Sequence, residues 1–268
     1  MPELPEVQQT VDSLIPRVVG QVMSEIQLGK FDVVEPHGFD LRHALQGRRI
    51  VLVTRRAKRI VFLLDTGERF WVHLGMTGRL VVESMDVPLR PHTHFLCNLS
   101  SAHQLRFSDP RRFGGIHWTG TTTGHEDDLG PEPLSICPID FHARLRSTTR
   151  VIKTALLDQK LIAGLGNIYV DESLFDAKIH PLTPAMMISK KRAAILCDSI
   201  HRVLTAAINA GGSTLRDYVD ADGKPGMFQL LHVVYDRAGQ PCKTCAAPIV
   251  RIIVHQRSTH FCKECQKR

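Results

Sequence analysis

Cys242-Lys243-Thr244-Cys245 and Cys262-Lys263-Glu264-Cys265 close the sequence, with sixteen residues between the two pairs. Paired Cys-x-x-Cys motifs at this separation match a zinc ribbon, in which each pair chelates from a tight knuckle and the chain between them forms a hairpin. Four thiolates complete a tetrahedral shell and leave no position for water. The expected single Zn2+, held by Cys242, Cys245, Cys262 and Cys265, is therefore structural. A redox Cys-x-x-Cys is the competing reading, and a second pair at ribbon spacing weighs against it. The intervening segment carries Arg251, His255 and Arg257, and Lys263 follows within the second pair. A basic ribbon of this kind suits nucleic acid.

Working outward from the ribbon, the whole chain is mildly basic. Lys plus Arg number 34 against 27 Asp plus Glu, a net charge of +7 that favours a polyanionic partner without requiring one. Hydrophobic residues make up 43% and charged residues 23%, values that place the 268-residue chain among globular proteins rather than disordered ones. Seven cysteines are present, and the three outside the ribbon, Cys97, Cys137 and Cys197, are scattered. An odd number with no secretion signal argues against a disulfide framework. No apolar run approaches the roughly 20 residues of a membrane helix. The start, Met-Pro-Glu-Leu-Pro-Glu, lacks the basic and apolar regions of a signal peptide. The expectation is a cytoplasmic protein with no membrane partner.

Residues 4 to 19 read as an amphipathic helix, with Leu4, Val7, Val11, Leu14 and Ile15 on one face. Short apolar runs follow at 50–53, 60–64, 70–74, 80–82, 95–99, 105–107 and 116–118, punctuated by turn residues, which predicts a β-sandwich or barrel. Gly130-Pro131-Glu132-Pro133 reads as a boundary. Helices are then predicted at 139–146, 151–158, 167–177 and 187–210, and a mobile loop at 220–226. The fold class is α+β. The expected domains are 1–130 (helix plus β-sandwich), 131–234 (helical) and 235–268 (zinc ribbon). Gly164-Leu165-Gly166-Asn167 precedes one helix, with Asn167 as its expected N-cap. Such a helix start offers free N–H groups and a favourable dipole to an anion; a plain capped helix is the alternative.

Several segments together resemble one family, the bacterial formamidopyrimidine-DNA glycosylases. They are Pro2-Glu3-Leu4-Pro5-Glu6-Val7, Arg55-Arg56-Ala57-Lys58, His73-Leu74-Gly75-Met76-Thr77-Gly78, Asp109-Pro110-Arg111-Arg112-Phe113-Gly114, Gly164 to Tyr169, Asp222-Gly223-Lys224-Pro225-Gly226 and the ribbon. The resemblance spans nearly the whole chain. It implies an N-terminal helix on a β-sandwich, followed by a helix-two-turn-helix motif and the ribbon. It also implies removal of 8-oxoguanine and formamidopyrimidines from duplex DNA, with strand cleavage by β,δ-elimination at the abasic site.

By the same resemblance, Pro2 is the nucleophile once Met1 is removed. A secondary amine attacking the sugar C1′ gives an iminium ion, an electron sink that serves both base loss and strand cleavage. On residue type alone, Pro2 simply starts a helix. Glu3 is implied as the acid/base residue, with Glu6 a secondary candidate, and Lys58 and Arg257 as aids to the eliminations. Met76, Arg111 and Phe113 match the positions that fill the gap left by a flipped nucleotide. His92, Asn167, Lys153 and Lys224 are the remaining expected DNA contacts, and a loop from about Thr214 to Phe228 is expected to cover the flipped base. The partner is double-stranded DNA containing oxidised bases or abasic sites, met by a monomer at the nucleoid.

The chain departs from the family pattern at Thr93, where His-Asp-His is usual and His92-Thr93-His94 stands, and at Ser147-Thr148-Thr149, which replaces a lysine cluster. Arg59 replaces a common aromatic residue, and Leu230-Leu231-His232 is unusual. These changes bear on affinity and lesion preference. Two alternatives stand beside the main reading: an endonuclease VIII-like glycosylase for oxidised pyrimidines, and a non-catalytic damage-binding homologue.

Overall fold

The computed structural model describes residues 2–29, 31–121, 128–214 and 220–267. The chain divides into two compact units, Met1–Asp127 with Ala210–Met227, and Asp128–Asn209 with Phe228–Arg268. The segment Ala210–Met227 was expected in the helical domain, and it groups instead with the N-terminal unit.

In the first unit, α1 (Leu4–Val18) begins where Glu3 takes the N-cap and Glu6 completes a capping box. Its apolar face, Leu4, Val7, Val11, Leu14 and Val18, is fully buried, whereas Ile15, expected on that face, is exposed. Nine strands follow with one short helix among them: β1 (Met23–Leu28), β2 (Val34–Glu35), α2 (Leu41–Leu45), β3 (Ile50–Arg56), β4 (Arg59–Leu64), β5 (Arg69–His73), β6 (Arg79–Ser84), β7 (Thr93–Leu99), β8 (His103–Ser108) and β9 (Gly115–Gly120). They form one sheet of order β1-β7-β8-β6 and another of order β2-β9-β5-β4-β3. Val7 and Leu14 of α1 share one core with Phe62 and Phe70 of the second sheet and Phe95 and Phe107 of the first. All seven apolar runs form strands. Strand β1 escapes the sequence pattern because its register shifts between Ser24 and Gln27, with Glu25 at φ 49°, which breaks the alternation that marks a strand.

The second unit contains α3 (Pro138–Arg146), α4 (Ile152–Leu157), α5 (Asn167–Asp176) and α6 (Lys190–Asn209), then the hairpin of β10 (Val250–Val254) and β11 (Arg257–Phe261). Helix α6 starts three residues later than expected, because a 3-10 turn at Ala185–Met187 follows Pro184. The ribbon has its own small core of Phe175, Val234, Cys242, Ile249 and Cys262. Among the described residues no helix is long and apolar enough to cross a membrane.

Candidate active site

The start of α1 is a buried polar corner. Pro2 is buried, and Glu3 and Glu6 are only 3% and 2% exposed. Glu6 accepts the Glu3 N–H on Oε2 at 2.7 Å and the Ser213 N–H on Oε1 at 2.7 Å. A carboxylate at this position also complements the helix dipole. Residues 221 and 222 are fastened further down the same helix. Ser13 Oγ accepts the Ala221 N–H at 3.0 Å, and Arg17 pairs with Asp222 at 2.8 Å. The expected mobile loop at 220–226 is therefore tied to α1, and Asp220 Oδ1 accepts the N–H groups of Asp222 and Lys224. Lys224 itself is exposed. Of the loop expected to cover the base, 215–219 lie outside the described residues.

Lys58 occupies the two-residue turn between β3 and β4, after Ala57 at φ 53°. It is 8% exposed, unusually low for a lysine. His73, at the end of β5, pairs in register with Arg59. Burial holds its pKa below the usual histidine value, and the nearby charges of Lys58 and Arg59 push the same way. Its Nδ1 accepts the Gly75 N–H at 3.3 Å, which leaves Nε2–H as the donor of a neutral ring. The other ring nitrogen is hydrogen-bonded to the Phe113 backbone, so His73 ties the chain at Gly75 to the chain at Phe113, with the Lys58 charge nearby.

Met76, Arg111 and Phe113 stand on two interlocked loops. All three are exposed, Phe113 by 57%, and the Arg111 guanidinium lies 4.5 Å over the Phe113 ring. Exposed Met and Phe beside Arg do not behave as core residues. Buried Asp109 holds both loops, accepting from Thr77 Oγ1, the Arg111 N–H and the Gly114 N–H. A Cβ at Gly75 would lie 2.4 Å from the Gly114 nitrogen, so the contact demands glycine. His92 is exposed at φ 64°, and Thr93 Oγ1 bonds to the Arg90 carbonyl.

The remaining expected residues belong to the second unit. Gly166, not Asn167, is the N-cap of α5; Asn167 opens the helix and its amide donates to Ser258 O at 2.8 Å. The extended backbone of Gly166 makes the entry, leaving the Asn167 side chain to grip the ribbon hairpin. Lys153, expected as a DNA contact, is 0% exposed and pairs with Asp171 at 2.6 Å. A fully buried ammonium cannot reach a phosphate, so Lys153 is corrected to an internal charge. Asp171 also accepts the His260 N–H of β11 at 2.8 Å. Arg257 is exposed, directly after the turn His255–Gln256, whose two positive φ values match a tight hairpin.

The cysteine sulfurs lie within 4.8 Å of one another. Cys242–Cys265 is 3.9 Å and Cys245–Cys262 is 3.4 Å. A tetrahedron with Zn–S near 2.3 Å has edges of about 3.8 Å. The four cysteines fit one structural Zn2+.

Three family models match in sequence order: the formamidopyrimidine-DNA glycosylase N-terminal domain over residues 1–116, the H2TH domain of the same enzymes over 129–219, and the zinc finger found in FPG and IleRS over 239–268. The chain belongs to the formamidopyrimidine-DNA glycosylase family. A formamidopyrimidine-DNA glycosylase of Solibacter usitatus is 44% identical, with all of both chains covered. One of Aromatoleum aromaticum is 42% identical over the same full coverage. Among solved structures, the MutM (Fpg) protein of Thermus thermophilus superposes with a TM-score of 0.89 at 40% identity, covering 99% of this chain and 98% of that one. Lactococcus lactis Fpg in complex with abasic-site DNA gives a TM-score of 0.93 at 36% identity and full coverage of both.

His73, Asp109, Asp171 and Glu172 are site-organising residues that sequence reasoning did not single out. The first two lie inside motifs already noticed. The last two have one signal, adjacent acids in the middle of α5 between the apolar residues Ile168–Val170 and Leu174–Phe175.

Proposed function

We propose that this chain is a base-excision-repair glycosylase that removes oxidised purines, 8-oxoguanine and formamidopyrimidines, from duplex DNA and then cleaves the strand at the abasic site. The observation that carries this reading is the buried Pro2-Glu3 start of α1, beside a carboxylate that fixes its backbone. Once Met1 is removed, Pro2 is a secondary amine. An α-amino group titrates near pH 8, which leaves a reactive neutral fraction at pH 7.

The Pro2 nitrogen attacks C1′, the glycosidic bond breaks, and its electron pair departs with the base, which takes up a proton. Glu3 protonates the ring oxygen as the sugar opens to the iminium ion. Loss of the C2′ proton sends electrons toward the iminium nitrogen and expels the 3′ phosphate. A second elimination expels the 5′ phosphate, and water releases Pro2. Lys58 holds a phosphate next to the lesion, and the neutral His73 ring fixes the backbone at Gly75 and Phe113. Arg257 and the start of α5 at Asn167 hold other phosphates, with His92 and Lys224 adding charge along the DNA backbone. Met76, Arg111 and Phe113 fill the stack after the nucleotide leaves it. Lys153 takes no part in contact; it holds Asp171, which holds β11. The protein acts as a monomer in the cytoplasm, at the nucleoid, and the zinc stiffens the hairpin that presents Arg257.

Borohydride trapping on a lesion panel tests this. Covalent adducts are expected with 8-oxoguanine opposite cytosine and with an abasic site, and none with undamaged duplex. Adducts confined to oxidised pyrimidines would favour the endonuclease VIII-like reading, and tight binding without trapping a damage sensor.

A further inference from the structure

Glu6 is a single carboxylate shared between two backbone donors, one three residues before it and one 207 residues after it. Oε2 holds the N–H of Glu3, the peptide directly after Pro2, and Oε1 holds the N–H of Ser213, directly after Gly212. Both bonds are 2.7 Å and Glu6 is 2% exposed. The fit leaves no slack. A Cβ on Gly212, whose φ is +80°, would lie 2.9 Å from Glu6 Oε1 and 3.0 Å from its Cγ. A Cβ on Gly226 would lie 2.3 Å from the Gly212 carbonyl oxygen. Ser13 and Arg17, seven and eleven residues beyond Glu6, fall on the same face of α1 at 3.6 residues per turn and bind Ala221 and Asp222.

We propose that Glu6 is a positioning residue that ties the aim of the N-terminal amine to the seating of the Gly212-Ser213 backbone. The claim rests on the proposed Pro2 chemistry and gives Glu6 a role distinct from proton transfer. A charged acceptor is needed because both partners donate. An amide in its place turns its NH2 toward one of two N–H groups and breaks that bond while keeping the shape. If the Gly212-Ser213 backbone shifts, Glu6 shifts, and the Pro2–Glu3 peptide turns with it.

The test uses the full-length, zinc-loaded protein with processed N-terminus and a preformed abasic duplex, which removes lesion recognition from the measurement. Single-turnover trapping rate and DNA Kd are measured for wild type, Glu6→Gln, Gly212→Ala and the double variant, each checked for a wild-type-like melting transition. Expected are trapping rates about tenfold lower for each single variant, Kd within about twofold of wild type, and a double variant no slower than the worse single. Ser13→Ala, which removes only the bond to Ala221, is the milder companion if Gly212→Ala does not fold; it is expected to slow trapping less than about threefold in wild type and not at all in Glu6→Gln. A Gly212→Ala or Glu6→Gln protein that traps at the wild-type rate overturns the coupling, as do single effects that multiply in the double. If wild type itself does not trap, the Pro2 chemistry falls, and the coupling with it.

Discussion

At the start of α1, Glu6 collects the backbone N–H groups of Glu3 and Ser213. One turn into α5, Glu172 collects those of Val233, Val234 and Tyr235, at 2.8 to 3.1 Å. Both are buried carboxylates near a helix start that hold a segment distant in sequence. The supports around them differ. The α1 clip is packed by absent side chains, at Gly212 and Gly226. The α5 clip is packed by charge: Asp171 beside it binds Lys153 and His260, and the zinc ribbon follows the held segment. Steric closeness tolerates no added atom, whereas buried charge tolerates no lost partner. The two regions should therefore fail in different ways.

The largest expected effect is on the zinc side. Cys262→Ser should lose the metal and weaken DNA binding by about a hundredfold or more, by releasing the β10–β11 hairpin that carries Arg257. Both tryptophans, Trp71 and Trp118, belong to the first unit, so their emission should stay at the wild-type wavelength. Zinc content, Kd and fluorescence together check this. A shifted emission would mean that the first unit depends on the metal.

Next is Lys153→Met. Removing one partner of a fully buried pair typically costs about 3–5 kcal/mol. Denaturant unfolding should show a loss of this order, while the slope of log Kd against log salt stays at the wild-type value. A slope reduced by about one would restore Lys153 as a phosphate contact.

A smaller effect comes from His232, buried between Phe228 and Tyr235, with its pKa pushed down by burial to about 4. The fold favours the neutral ring, so between about pH 4 and the unfolded value near 6.5 the unfolded chain binds more protons. The contribution is complete above that window and is lost as pH falls through it, by at most about 3 kcal/mol. Glu172 works with the opposite sign. Burial raises its pKa, so its contribution is present at low pH and lost as pH rises through the raised value. Comparing wild type with His232→Phe cancels the Glu172 part. The variant should lose less stability than wild type between about pH 6.5 and 4, and equal losses would refute the assignment.

The same contrast explains what the sequence reveals. The zinc site is legible because its ligands sit in two local pairs at a recognisable spacing. The sandwich is legible because seven apolar runs lie between turn residues. The Glu6–Ser213 bond is not, since it spans 207 residues and involves a backbone group that no side-chain pattern marks. Lys153 misleads because charge is visible in a sequence and burial is not. Asn167 falls one position away from the expected N-cap because Gly166 makes the extended entry. Asp109 and His73 are hidden in motifs whose other members draw attention first.

In the proposed chemistry the residue following Met1 forms the covalent bond, while the metal near the other end of the chain only shapes the grip. Peptide mapping by mass spectrometry of the borohydride-trapped complex tests it most directly. The sugar adduct is expected on the N-terminal peptide that begins at Pro2, with one zinc still bound before digestion. An adduct on the peptide containing Lys58, or trapping by protein that retains Met1, would contradict it.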